Sequence, residues 1–495
     1  MKNTALIFVA VFLCLCSAVS ARDARFAGQF YPADKQSLSV FIDEAMAAAD
    51  PLSLRSSDLP AKVLGVVVPH AGYSFSGRVA AFAYKTISAD YDLIVILGVG
   101  HTMRVRGAAL LAKGYYETPL GRIPVDEKLA ADLIKASSLF EDLPEAHANE
   151  HSIEVQLPFL QRRLKKSFKI LPAVLNTDNP EDLAAIGRII GKKLKGRKAL
   201  LVVSTDLSHY PKHEDARLVD GALELALRTM DPGYFQLTNR VLLSRGVPGL
   251  ATCACGEAAL TAALSAVKEI APTEFVALKY ADSYDANPAD SPADRVVGYL
   301  AGAFVIKEKA DPYKMNFTKE QRQSLLAAAR AAVARGFEPS GKMPALSSAG
   351  AFLNLPAAVF VTLTEGGRLR GCVGTVEPRM PLFAAVDFAA ESAAFHDSRF
   401  QPLKKPELEG VKVEISVLSR LEKITDAKAI KPGEHGVVAS RGGRSGLFLP
   451  QVWEQIPGKE DFLSELCSQK AGLERNCWQD KKTELYIFTV DSFKE

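Results

Sequence analysis

Three strongly apolar runs each lead into a histidine-bearing turn, and this pattern constrains the chain more than any other feature. Val63-Leu-Gly-Val-Val-Val68 runs into Pro69-His70. Leu93-Ile-Val-Ile-Leu97 runs into Gly98-Val-Gly-His101, and Ala199-Leu-Leu-Val-Val203 into Ser204-Thr-Asp-Leu-Ser-His209. Continuous apolar runs rich in β-branched residues read as buried parallel strands. In open α/β sheets, ligands bind beyond the carboxyl ends of such strands. The pattern therefore predicts one crevice fed by residues far apart in sequence. Six of the eight histidines fall between His70 and His213.

The chain has 495 residues, enough for two or three domains with full cores. Hydrophobic content of 48% and charged content of 24% are those of a globular protein. The net charge of +3 comes without a long basic block, so neither nucleic acid nor an anionic membrane surface is suggested as a partner. Residues 1–21 read as a secretory signal peptide: Lys2 gives a positive start, Ala5 to Leu15 is a short apolar core, and Val19-Ser20-Ala21 offers a cleavage site. This predicts an exported, periplasmic or extracytoplasmic protein. Cys14 and Cys16 raise a lipoprotein alternative, against which Leu13 and Leu15 stand where a small residue is the norm. No later segment is long and apolar enough to span a membrane. Five cysteines remain after the leader, too few for a disulfide-held scaffold. Cys467 and Cys477 either pair or are simply small buried residues, and spacing does not choose between these.

From Arg22 to about residue 306, strand-like runs alternate with helical stretches at Ser37–Ala49, Asp126–Ser137, Pro180–Leu194 and Gly256–Val267. This predicts an α/β domain with a mostly parallel sheet and flanking helices. The charged segment 307–316 reads as a linker. Residues 317–495 read as an α+β domain with an antiparallel sheet. Its cues are an Ala-rich helix at Phe317–Arg335 with Thr318 as N-cap, and two hairpins. One turns at Glu365-Gly-Gly367, the other at an Arg-Gly-Gly-Arg run, and Glu484–Val490 reads as a last strand.

The chemistry concentrates in the first domain. His70 and His101 each follow a strand and a glycine-bearing turn that could aim an imidazole into the crevice. Cys255 directly precedes a helix, a position that favours the thiolate. Two imidazoles and a thiolate form a mixed N/S site that suits zinc, copper or iron. Asp206 and His209 share one loop, where the carboxylate could orient the imidazole for proton transfer. Cys253 reads as structural. In His147-Ala-Asn-Glu-His-Ser-Ile-Glu154, a helix would set His147 and His151 at i and i+4. That spacing serves a ligand pair or a polar helix face, and a supporting role is expected for Glu150 and His151.

At these residues the chain resembles the Memo family. The matching motifs are Phe26-Ala-Gly-Gln-Phe-Tyr-Pro32, Pro69-His-Ala-Gly-Tyr73 with Ser76-Gly77, Gly100-His101, Glu150-His-Ser-Ile-Glu-Val-Gln-Leu-Pro158, Ser204-Thr-Asp-Leu-Ser-His209 and Ala254-Cys-Gly256. The resemblance covers residues 22 to 306. It implies a fold like that of the LigB-type extradiol dioxygenases and a metal-capable pocket of His70, His101 and Cys255, with Asp206 and His209 beside it. In those dioxygenases an acidic ligand takes the place of Cys255. The second domain resembles the AMMECR family through Leu369-Arg-Gly-Cys-Val-Gly-Thr375, Phe395-His-Asp-Ser-Arg-Phe400, Val413-Glu-Ile-Ser-Val417 and Glu434-His-Gly436. There Cys372, next to Arg370, is either a reactive thiol or a small buried residue. Both on one chain look like a fusion of AmmeMemoRadiSam system proteins B and A, which implies a radical S-adenosylmethionine enzyme as a functional partner.

Three functions follow as expectations. The first is a metal-dependent redox enzyme, with iron or copper held by His70, His101 and Cys255 and with His209 and Asp206 moving a proton. The second is a non-catalytic module binding a peptide or small molecule in a vestigial dioxygenase pocket, gripped by Tyr73 and nearby loops. The third is a hydrolase with Cys255 as nucleophile and His209 as base.

Overall fold

The computed structural model describes residues 21–50, 63–87, 90–307, 317–338 and 343–495. Nearly all of the expected leader and of the expected linker lie outside the described residues.

The three histidine-bearing strands lie side by side. Ala199–Ser204 is central, flanked by Val63–Val68 and Leu93–Val99, and both pairings are parallel. Every residue of the three strands is buried. A buried Val, Leu or Ile contributes about 1.5–3 kcal/mol through removal from water, so these runs are where they are because no exposed position would stabilise them. Lys169–Leu175 adds in parallel beside Leu93–Val99. The full sheet has eight strands: Thr273–Asp282, Gly298–Ile306, Val63–Val68, Ala199–Ser204, Leu93–Val99, Lys169–Leu175, Ala108–Leu110 and Phe140–Asp142. It is mixed, because Gly298–Ile306 and Ala108–Leu110 run antiparallel to their neighbours at Val63–Val68 and Lys169–Leu175. Register pairs Val68 with Ser204 and Leu97 with Val203. The turns that follow these three strands therefore leave the sheet at one edge.

Helices cover the sheet where their ends are signalled. Asn179 caps Pro180–Leu194, accepting from Glu181 N and Asp182 N, with Pro180 in the first turn and Lys192 and Lys193 in the last. Gly187 in that helix has no room for a side chain. A Cβ there would lie 2.1 Å from the Ala262 carbonyl oxygen of helix Glu257–Ile270.

The C-terminal region is built from hairpins. One four-stranded antiparallel sheet runs Arg368–Gly374, Ala358–Glu365, Val411–Leu418, Val490–Lys494. Its core is shared with helices Lys319–Arg335 and Leu382–Phe395. Thr318 caps the first of these helices in a capping box with Gln321. The turn at Gly366 and Gly367 has φ of 54° and 78°, the left-handed backbone that glycine adopts without strain. A second antiparallel sheet joins Glu422–Ile424, Glu484–Phe488, Gly436–Arg441 and Arg444–Phe448. The segment read as one last strand is two strands in different sheets. The chain changes sheet at Thr489, whose carbonyl accepts from Ser419 N and whose N–H donates to Ser419 Oγ. Cys467 and Cys477 form a disulfide in the core of this second sheet. Among the described residues, no helix is long and apolar enough to cross a membrane.

Candidate metal centre

The ligand atoms of His70, His101 and Cys255 all lie within 4.8 Å of one another. What makes the two histidines suitable is the partner each has on its other ring nitrogen. His70 is buried, with Nδ1 3.0 Å from Ser204 Oγ. That hydroxyl already donates to the Ser152 carbonyl at 2.6 Å and accepts from Gln156 Nε2 at 2.9 Å. A hydroxyl has one proton and two lone pairs, so its remaining lone pair accepts from His70 Nδ1–H. The lone pair of the ring is then on Nε2. His101 reaches the same state by a different route. Its Nδ1 donates to Glu150 Oε1 at 2.9 Å, and its backbone N–H donates to Glu150 Oε2 at 2.8 Å. Ser152 N donates to Glu150 as well. Burial alone would raise the Glu150 carboxyl, but the hydrogen bonds from His101 and Ser152 outweigh it and hold the group at about 2. A fully buried carboxylate orienting an imidazole is a common support for a metal ligand.

The strand-to-turn geometry is tight here. A Cβ on Gly98 would lie 2.6 Å from Ile153 Cγ1 and 2.7 Å from Ser152 Oγ. The turn that carries His101 thus rests directly on the turn that carries Glu150 and Ser152.

His151 stacks on His101 at 4.6 Å between ring centroids and meets the edge of His70 at 5.3 Å, with Phe30 4.4 Å away. His101, Glu150 and His151 also lie within ligand distance of one another. Because Glu150 already takes the Nδ1 proton of His101, this group supports the first cluster and is not a second one. A further trio, His213, Asp282 and Asp285, is closed by a guanidinium. Arg217 donates to His213 Nε2 at 3.1 Å and to both oxygens of Asp285, while His213 Nδ1 lies 2.6 Å from Asp282.

Cys255 is half-buried. Asp206 N donates to its Sγ at 3.3 Å, and Cys255 N donates to the Asp206 carbonyl. Asp206 thus meets the thiol through its backbone. His209 is oriented by the Leu207 carbonyl, 2.8 Å from Nδ1, in place of the Asp206 carboxylate expected from sequence. Backbone bridges from His209 to Thr252 and Val297 fix the residue within this loop. Cys253 is fully buried and burial pushes its thiol up, in keeping with a structural role.

Three expectations are corrected. His147 and His151 do not share a helix, because the chain breaks at Asn149 between Glu145–Ala148 and His151–Glu154. His147 instead donates from Nε2 to the Ala109 carbonyl and accepts at Nδ1 from the Tyr116 hydroxyl. Tyr73 presents no face to a ligand. It is buried, packed by Phe41, Tyr31 and Phe159, and donates to the Val155 carbonyl at 2.6 Å. Arg370 is committed to Glu407 at 2.8 Å and to the Gln401 carbonyl. The cation at Cys372 is Arg399, which donates to the Cys372 carbonyl and is paired with Asp397. Cys372 also accepts from the Thr362 hydroxyl at 3.3 Å, and its N–H donates to Asp397.

Sequence reasoning missed Ser204, Ser152, Gln156 and Arg22. A signal was present for the middle two. Ser152, Glu154 and Gln156 are polar residues alternating with Ile153, Val155 and Leu157, and all six are buried. Buried polar side chains in an apolar setting need partners.

The architecture and the cluster together define an α/β domain with a strand-end group of side chains that could hold a metal ion, followed by an antiparallel α+β domain. A family model described as Memo-like protein matches residues 22–303, and one described as AMMECR1 matches residues 326–493. The chain belongs to the Memo family and carries an AMMECR1 domain after its Memo-like domain. A MEMO1 family protein of Methanopyrus kandleri is 35% identical over 290 residues, covering 57% of this chain and 98% of that protein. A MEMO1 family protein of Aquifex aeolicus is 33% identical over 284 residues, covering 57% of this chain and 99% of its own. Among solved structures, an uncharacterized protein from Pyrococcus horikoshii is 35% identical and covers 36% of this chain and 93% of its own, at a TM-score of 0.34.

Proposed function

We propose that the Memo-like domain is a metal-dependent redox centre in which His70, His101 and Cys255 hold one iron or copper ion. The observation that carries this reading is the convergence of two imidazoles and a thiol within 4.8 Å, with Nδ1 of both imidazoles already engaged. The donor set fits: imidazole nitrogen and thiolate sulfur suit copper and iron, and three protein ligands leave room for an exogenous one. A bound ion would supply one-electron chemistry. The chain's own residues would orient the ligands through Ser204 and Glu150. His209, with Nδ1–H on the Leu207 carbonyl, has its lone pair on Nε2, where it would accept a proton. The ligand-gripping alternative draws no support from Tyr73, which is in the core.

The test is elemental analysis of protein purified anaerobically. The expected result is near-stoichiometric iron or copper in the wild type, lost in Cys255→Ser and in His70→Ala. Unchanged metal content in both variants would refute the assignment.

We also propose that the protein works outside the cytoplasm. The leader-like N-terminus supports this, as does the Cys467–Cys477 disulfide, since such bonds persist in oxidising compartments. N-terminal sequencing of the mature protein is expected to begin at Arg22, and an intact Met1 terminus on the cytoplasmic protein would overturn it.

A further inference from the structure

The carboxylate that orients His101 is itself held in place, and the residue holding it lies far away in sequence. Arg22 is buried. Its Nε donates to the His147 carbonyl at 2.6 Å, and its NH2 to the Glu150 carbonyl at 3.0 Å. The same NH2 lies 2.9 Å from Glu154 Oε2 in an ion pair that is almost wholly out of water. Glu154 Oε1 accepts from the Tyr31 hydroxyl at 2.6 Å and from Phe26 N at 2.8 Å. The backbone of Arg22 pairs with Tyr116, whose ring stands under the guanidinium. One side chain therefore joins the two turns on either side of the break at Asn149. Those turns bear Glu150, which takes the His101 imidazole, and Ser152, whose carbonyl takes the Ser204 hydroxyl.

We infer that Arg22 is a positioning residue of the metal centre. It holds the 147–154 segment so that Glu150 keeps the proton of His101 on Nδ1 and the lone pair on Nε2. Guanidinium geometry is required, because three acceptors on two turns must be met by one planar fork, which an ammonium does not supply. Arg22 is also the residue that follows the expected leader cleavage point after Ala21, so a processed chain would begin with this strut. Trimming one residue further would remove it. The inference rests on the metal reading for one of its two readouts and is independent of it for the other.

The experiment uses the full mature chain, wild type beside R22K, R22M/E154Q and a chain beginning at Asp23. The double variant removes both members of the buried ion pair, which avoids the uncompensated Glu154 charge that R22M alone would leave. The first readout is affinity for cobalt(II) in competition with a chelator, and the second is the nitrogen NMR signature of the His101 tautomer in metal-free protein. The expected result is cobalt binding about tenfold weaker in all three variants, in the range known for partners of metal ligands. His101 is also expected to lose its Nδ1–H form. Folded variants with wild-type cobalt affinity and an unchanged His101 tautomer would overturn the inference. A wild type that binds none of cobalt(II), iron(II) and copper(I), with the tautomer still shifting in the variants, would sink the metal reading and leave the strut standing.

Discussion

Two walls of the Memo-like domain hold imidazoles in opposite ways. At the strand ends, His70 and His101 each spend Nδ1 on a protein partner and keep the Nε2 lone pair toward the cluster. On the other side of Glu150, His147 spends both nitrogens, one on the Tyr116 hydroxyl and one on the Ala109 carbonyl. Burial pushes His147 down to about 4, and the Ala109 hydrogen bond only partly offsets this. The residue type is the same. The second ring nitrogen decides whether a histidine can serve as a ligand or acts only as a strut.

The largest expected effect tests this difference directly. His70→Ala is expected to empty the site of metal, while His147→Ala, if folded, retains metal at close to the wild-type level; equal metal loss in both would erase the distinction. The next is a pH effect. An unfolded histidine takes up a proton near its ordinary value of 6.5, and folded His147 resists until about 4. The unfolded state therefore binds more protons across that window. Stability should fall as pH drops from about 6.5 to 4, by roughly 3 kcal/mol from this group. Urea midpoints followed against pH should show this slope in the wild type and a flatter one in His147→Gln.

A smaller effect is expected at Glu150. Glu150→Gln keeps the shape but removes the charge opposite His101, and metal affinity should weaken by about 10- to 100-fold. Isothermal titration with the metal checks this, and an unchanged affinity would mean that the carboxylate does not tune its imidazole. The smallest is in the AMMECR1 domain, where hydrogen-bond donors crowd Cys372 and, among the described residues, no trio of ligand-capable side chains includes it. The Arg399 hydrogen bond, above all, holds the Asp397 carboxyl well below the usual range. Asp397→Asn should cost about 1 kcal/mol, since Arg399 is half exposed and its pairing is screened. That loss should be seen at neutral pH and shrink as pH falls below about 4. Binding of metal at Cys372 would break the contrast between the two thiols.

Much of the fold is legible in the chain because its strongest signals are local. Buried parallel strands announce themselves as unbroken apolar runs, and Gly366-Gly367 announces a hairpin. Asn179-Pro180 and Lys192-Lys193 bracket a helix at both ends. The cluster is legible for a related reason: His70 and His101 follow two buried strands that flank Ala199–Ser204 in parallel. The orienting partners are not. Ser204 looks like the last residue of a strand, and Arg22 meets the carbonyl of His147 across 125 positions. The break at Asn149 is equally hidden, since i and i+4 spacing is compatible with one helix, whereas Asn149 leaves helical geometry and the Glu150 side chain caps a new turn at Ser152 N.

Gly98 carries one more consequence. With no space for even a methyl group against Ile153 and Ser152, the two turns that set the His101 ring behave as a single block. Any breathing that admits or releases a ligand has to come from other parts of the crevice rim. Alanine at this position would act as a wedge, and how far it loosens His101 would report how much slack the centre can tolerate.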